Sequence, residues 1–214
     1  MLVTVGAAAL GVAMHSPSGP MVQAEQGGND LPAQAGLRAA VRGTLQLRSF
    51  TFANPAGTLV YRAPDRTEAS YPLGEIVIGN TIYVGLNGTV HGSETTVNQW
   101  GRGPLTSGLD GLYGPTAAKA ELRFLLRSDH VTATSSGYRF SEVLPLSEVV
   151  PHSAGSVPVT GIVVVNHRLV TLISVRYAGT APVDYRFTEF DRSPLVVPPP
   201  ATKTVKLIPC RDGS

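Results

Sequence analysis

Along most of the chain, apolar and polar residues alternate with period two, the pattern of strands that bury one face and show the other to water. Leu59 and Tyr61 alternate with polar neighbours up to Pro64, which has no N–H to donate and so ends a strand. Ile76 and Ile78 hold one parity before Gly79-Asn80, and Ile82 and Val84 hold the same parity after it. A Gly-Asn pair suits a two-residue hairpin loop, so residues 75–86 read as a hairpin with these four on its apolar face. Leu45 and Leu47 read as a strand running from Arg42. Phe50 and Phe52 continue it on the opposite parity, a slip that a bulge or bend would produce. The last third repeats the hairpin logic: Val157, Val159, Val163 and Val165 share a parity, Asn166-His167 makes the turn, and Ile173, Val175 and Tyr177 follow. Val183, Tyr185 and Phe187 then alternate with polar residues. Three prolines from Pro198 break the sheet, and Val205 and Leu207 suggest a final edge strand.

Helical spacing occurs twice. Pro115 opens a helix to Arg127, with Ala118, Leu122, Leu125 and Leu126 on one face. Leu31 to Val41 makes a shorter one, capped by Asp30, with Pro32 in its first turn and Gly36 weakening it by about 1 kcal/mol relative to Ala. The glycine-rich residues 87–114 read as long loops around a short strand near Trp100. The whole is mainly β, with roughly eight to eleven strands in antiparallel succession. Such a sheet must cover its apolar face. The residues that would line that face are Leu45, Leu47, Leu59, Tyr61, Ile76, Ile78, Ile82 and Val84 from the first half. Val163, Val165, Ile173 and Val175 join them from the second, and Leu122 and Leu125 face them from the helix. The same residue types line ligand cavities and filled cores, so periodicity leaves both readings open.

Composition narrows the classes. Of 214 residues 15% are charged, too few for a disordered chain, and the formal net charge of +2 comes from scattered basic residues. A nucleic-acid binder would show a basic stripe, and none is present. The single cysteine, Cys210, excludes an intrachain disulfide and a cysteine zinc site. Leu2 to Ala13 is an apolar run ending in small residues, as in a secretory leader, although no Lys or Arg precedes it. The chain therefore divides into a signal-like leader at 1–13, a tether rich in Ser, Gly, Gln and Pro at 14–36, and one β domain at 37–210. Export is expected, with membrane association through the leader.

No catalytic set stands out. His91, Ser93 and Glu94 fall together, but no G-x-S-x-G elbow accompanies them, and two ligand candidates do not make a metal site. Gly101-Arg102-Gly103 lacks the strand–loop–helix setting of a phosphate cradle, and the carboxylates are dispersed. No enzyme, cofactor or metal is expected.

Two segments carry a resemblance. Leu59-Val60-Tyr61-Arg62-Ala63-Pro64-Asp65-Arg66, followed by the run Glu75 to Val84 and then Trp100, is similar to the Y-x-x-P-D-R … I-x-I-G-[DN]-x-x-Y-V … W pattern of the LolA-like superfamily. The likeness is to actinobacterial envelope lipoproteins of the LppX/LprG type. Tyr185-Arg186-Phe187-Thr188-Glu189-Phe190 resembles their closing strand, and the likeness spans roughly residues 37–200. It implies an open, strongly curved antiparallel half-barrel covered by one or two helices, with a hydrophobic cavity between. It also implies a non-enzymatic protein that binds a lipid or lipidated ligand, with an envelope transport protein as partner. The chain departs from the anchored relatives in lacking a cysteine just after the leader, which puts a lipid anchor in doubt. The alternative implied by the same fold is an interaction or sensor module of the RseB type with a filled core.

Overall fold

The structure, a computed structural model, describes residues 30–55, 57–70, 74–91, 94–106, 114–145 and 155–207. The leader at 1–13 and the tether up to residue 29 lie outside the described residues.

The first described element is helix α1 (Leu31–Leu45), longer at its C-terminal end than the spacing predicts. The Asp30 side chain accepts the Ala33 N–H at 3.2 Å, and Pro32 sits where its missing N–H costs nothing. Its buried residues, Ala33, Leu37, Ala40, Val41 and Thr44, recur at spacings of three and four. That stripe carries the helix through residues 31–36, assigned above to the tether, and on to Leu45. The strand expected at Leu45 and Leu47 is therefore not formed. The parity slip before Phe50 marks a change of element rather than a bulge. Gly36 also has a role beyond weakening the helix, because a Cβ there would run into the Tyr138 hydroxyl.

Among the described residues twelve strands follow, with one more α-helix among them. They are β1 (Ser49–Asn54), β2 (Gly57–Arg62), β3 (Arg66–Ala69), β4 (Glu75–Ile78), β5 (Thr81–His91) and β6 (Glu94–Pro104), then helix α2 (Pro115–Leu125). After it come β7 (His130–Thr134), β8 (Gly137–Pro145), β9 (Ser156–Asn166), β10 (Leu169–Tyr177), β11 (Val183–Thr188) and β12 (Thr204–Lys206). They form a single open, curved sheet in the order β12-β6-β5-β4-β3-β2-β1-β11-β10-β9-β8-β7. Neighbours are antiparallel except β12, which joins β6 in parallel. Residues 87–91 and 94–104, expected to be mostly loop, belong instead to the long paired strands β5 and β6. Glycine signals a turn, but inside a strand it also marks bulges and close approaches. Both occur here: the register shifts at Gly85 to Gly88, and a Cβ on Gly101 would collide with the Leu207 side chain.

Register decides which face each residue takes. Across β4 and β5, Ile78 pairs with Thr81, so Val77 opposes Ile82 and Ile76 opposes Tyr83. A two-residue turn makes paired positions sum to an odd number, so equal parity on its two sides means opposite faces. Ile82 and Val84 therefore share a face with Glu75 and Val77, while Ile76 and Ile78 lie on the other. The β9–β10 hairpin begins with the same arithmetic, its turn residues being His167 and Arg168 rather than Asn166 and His167. A bulge at Thr171 then adds one residue, and Ile173 pairs with Val163 on the same face.

The two faces have different covers. Tyr61, Thr67, Val77 and Ile82 form one cross-strand row on the concave side, whereas Arg62, Arg66 and Ile78 form a row on the convex side. Across that convex side runs the segment from Glu189 to Lys203. Arg62 donates to the Ser193 carbonyl at 3.0 Å and Arg66 to that of Val196 at 3.1 Å. Val196 is fully buried, and the segment delivers β12 to the far edge beside β6. Ile76, on the same convex side, is 6% exposed.

Candidate functional site: the concave face

Both helices lie on the concave side, α1 against β7, β8 and β10, and α2 against β2 and β3. Pro115 starts α2, and Ala118, Leu122 and Leu125 bury its inner face as the spacing predicts. Under the helices is one buried cluster. It contains Leu59, Tyr61, Leu122, Leu125, Val163, Ile173 and Val175, together with Phe50, Phe140 and Phe187. Phe50 lies 5.0 Å from Tyr61 and 5.7 Å from Phe187, ring centre to ring centre, and Phe52 lies 5.3 Å from Phe187. Leu45, Leu47 and Val165 pack against this cluster half-buried. Ile82 and Val84 share its face by register but stand outside it, and Ile76 and Ile78 are on the opposite face.

Burial is graded along the concave face. Val159, Val163, Ile173 and Val175 are at most 2% exposed. Towards the end where β8 and β10 finish and β9 and β11 begin, Leu144, Val157, Tyr177, Val183 and Tyr185 are only half-buried. Register places them side by side: Leu144 opposes Val157, Tyr177 opposes Val159, and Val183 opposes Val175. Tyr185 stacks on Phe52 with centroids 5.5 Å apart. This half-buried apolar end is the mouth of the concave face.

Two charged residues of α2 lie over the concave side, Glu121 at this end and Lys119 further in, over Tyr61. Lys119 sits with its Nζ 4.3 Å from the centre of the Tyr61 ring, a cation over an aromatic face. Glu121 accepts a hydrogen bond from the Tyr185 hydroxyl, and burial holds its carboxyl above the usual range despite that bond. Burial and the Glu121 charge push the Tyr177 and Tyr185 hydroxyls up as well. The spacing of α2 carried a signal for Glu121. It occupies the i+3 place between Ala118 and Leu122, inside a stripe that is otherwise apolar. Tyr177 and Tyr185 had the inward parity and could have been named. Lys119 had no such signal.

A second carboxylate lies further along the same face. Glu75 is 3% exposed, its Oε2 has no hydrogen-bond partner, and burial raises its pKa to about 7. Its register partners are Ala69 and Val84. His91 ends β5 opposite Glu94, and among the described residues no three His, Cys, Asp or Glu gather as a metal site. No helix among them is long and apolar enough to cross a membrane.

No protein-family model matches this chain, and no curated protein matches it. Solved structures do. The chain is similar to LprF from Mycobacterium bovis at 12% identity over 81% of this chain and 99% of that one, with a TM-score of 0.44. It is also similar to the lipoprotein LppX of Mycobacterium tuberculosis at 14% identity over 78% of this chain and 100% of that one, with a TM-score of 0.46.

Proposed function

We propose that this protein is a non-enzymatic component of the cell envelope that holds the acyl portion of a lipid or lipidated ligand on its concave face. The observation that carries this reading is the half-buried apolar end formed by Leu144, Val157, Tyr177, Val183 and Tyr185, continuous with the fully buried cluster beneath the helices. An acyl chain entering there would bury apolar surface worth about 0.8 kcal/mol per methylene. Glu121, bonded to Tyr185, would stay at the border, where a polar headgroup remains in water. The export expected of residues 1–13 suits such a role, and a transport protein would deliver or collect the ligand. A charge at the mouth tests the idea. Val157→Glu should weaken binding of a fluorescent fatty acid tenfold or more, by about 1.4 kcal/mol, while urea unfolding changes little at this half-buried site. Unchanged acyl affinity in a folded Val157→Glu protein would remove the mouth from the proposal.

A second reading is favoured by one observation. Leu122, Leu125, Val163 and Ile173 are completely buried by the surrounding protein, as in a filled core. The protein would then be an interaction or sensor module that presents its surface to an envelope partner. It would take up no acyl ligand at all.

A further inference from the structure

On the convex side, opposite the proposed lipid site, a cleft of about 980 Å³ lies between the β5–β6 hairpin and the strap. Its floor includes Thr81, Tyr83 and Arg102, its wall Pro198 and Pro199, and its far rim Lys206. A volume of this size is in the range of small-molecule sites. We propose that this cleft binds a phosphate group through Arg102 and Lys206.

The argument starts from register. Tyr83 opposes Arg102 across β5 and β6, and Arg102 opposes Lys206 across β6 and β12. The three side chains therefore form one row on one face, a phenol, a guanidinium and an ammonium on adjacent strands about 4.8 Å apart. Like charges directly opposite each other destabilise a sheet. Among the described residues no ion pair relieves this one, and no carboxylate lines the cleft. An anion set between the two cations would remove their repulsion. Guanidinium offers a planar fork to phosphate oxygens and ammonium a compact charge, so a phosphate suits the pair better than a single carboxylate. Asn80 and Thr81 add amide and hydroxyl groups at the same opening.

The walls are held in place before any ligand arrives. The Leu207 N–H donates to the Arg102 carbonyl at 2.8 Å, and the Leu105 N–H to that of Asn80 at 3.0 Å. The Thr204 hydroxyl and the Lys203 N–H both donate to the Pro200 carbonyl at 2.9 Å. Proline fixes its own φ, so Pro198 and Pro199 lose little freedom on binding. Arg102 and Lys206 are exposed, so binding should be moderate and sensitive to salt.

The phosphate can belong to a soluble molecule or to an anionic lipid headgroup at a membrane surface, and the test separates the two. Glycerol phosphate is titrated into the full chain by calorimetry at low salt. Co-sedimentation is measured with vesicles of phosphatidylglycerol and, separately, of phosphatidylcholine. Wild type should bind glycerol phosphate, or phosphatidylglycerol over phosphatidylcholine, or both; the first alone names a soluble source and the second alone a lipid headgroup. The double variant Arg102→Gln/Lys206→Gln should lose about tenfold or more of that binding. Arg176→Gln, which removes one charge from an exposed position on β10, should keep it. Loss of either side chain from the surface is not expected to unfold the chain, and equal thermal midpoints check this. The proposal is overturned if neither probe binds, or if the double variant binds as wild type does, or if Arg176→Gln loses as much as the double variant. Val157→Glu, at the concave mouth, should leave phosphate binding unchanged, so this cleft and the acyl site succeed or fail separately.

Discussion

His167 and Arg168 show what a single position costs. Both hold positive φ, at 48° and 66°, in the two-residue turn between β9 and β10. This geometry favours Asn-Gly, because other side chains crowd the backbone there. Replacing the pair by Asn-Gly should stabilise the fold by about 1 kcal/mol, read as a higher urea midpoint with an unchanged slope. The sequence placed this turn one residue early because Asn166 looked like its first turn residue. Glu75 supplies a second expectation. Its folded pKa of about 7 stands above the ordinary 4.5, so the folded state holds a proton that the unfolded chain has already released. Its contribution is complete below pH 4.5 and is lost as pH rises to 7. Glu75→Gln should thus match wild type at pH 4 and exceed it at pH 8 by roughly 1–2 kcal/mol, allowing for solvent screening. Parallel stability curves across that range would show that the carboxyl has found a partner.

At the scale of elements, parity was a sound guide within a strand and an unsafe one across a turn. Ile76 and Ile82 agree in parity and lie on opposite faces, while Val163 and Ile173 agree in parity and share a face. The difference is the bulge at Thr171, which no local pattern announces. Helix α2 was legible from its stripe, yet α1 was cut short because Leu45 and Leu47 also fit an alternating strand. The strap was visible only as three prolines, since its crossing of β2 and β3 depends on contacts distant in sequence. The join of α1 to the sheet is one such contact. The Thr44 hydroxyl donates to the Ala40 carbonyl and accepts the Val170 N–H, both at 2.9 Å, beside that bulge. Thr44→Val keeps the shape and leaves the buried Val170 N–H unsatisfied. It should cost about 1–3 kcal/mol in urea unfolding, with exchange of the Val170 amide accelerated most.

For the whole molecule, the arrangement of its two sides matters more than any one group. Among the described residues twelve strands curve around two helices on the concave side, and the strap crosses the convex side of β2 and β3. Of the fourteen residues expected to line the concave face, Leu59, Tyr61, Leu122, Leu125, Val163, Ile173 and Val175 meet in one cluster, and Ile76 and Ile78 do not reach that face. The mouth was missed because half-burial depends on where neighbouring strands end, and a single strand's pattern does not carry that. Native mass spectrometry of the protein purified from its own envelope, followed by organic extraction, tests the acyl-binding claim most directly. The account predicts an acyl-bearing species near one equivalent, displaced by added fatty acid. A bare protein mass that takes up neither fatty acid nor phospholipid would contradict it and leave the concave face a filled core.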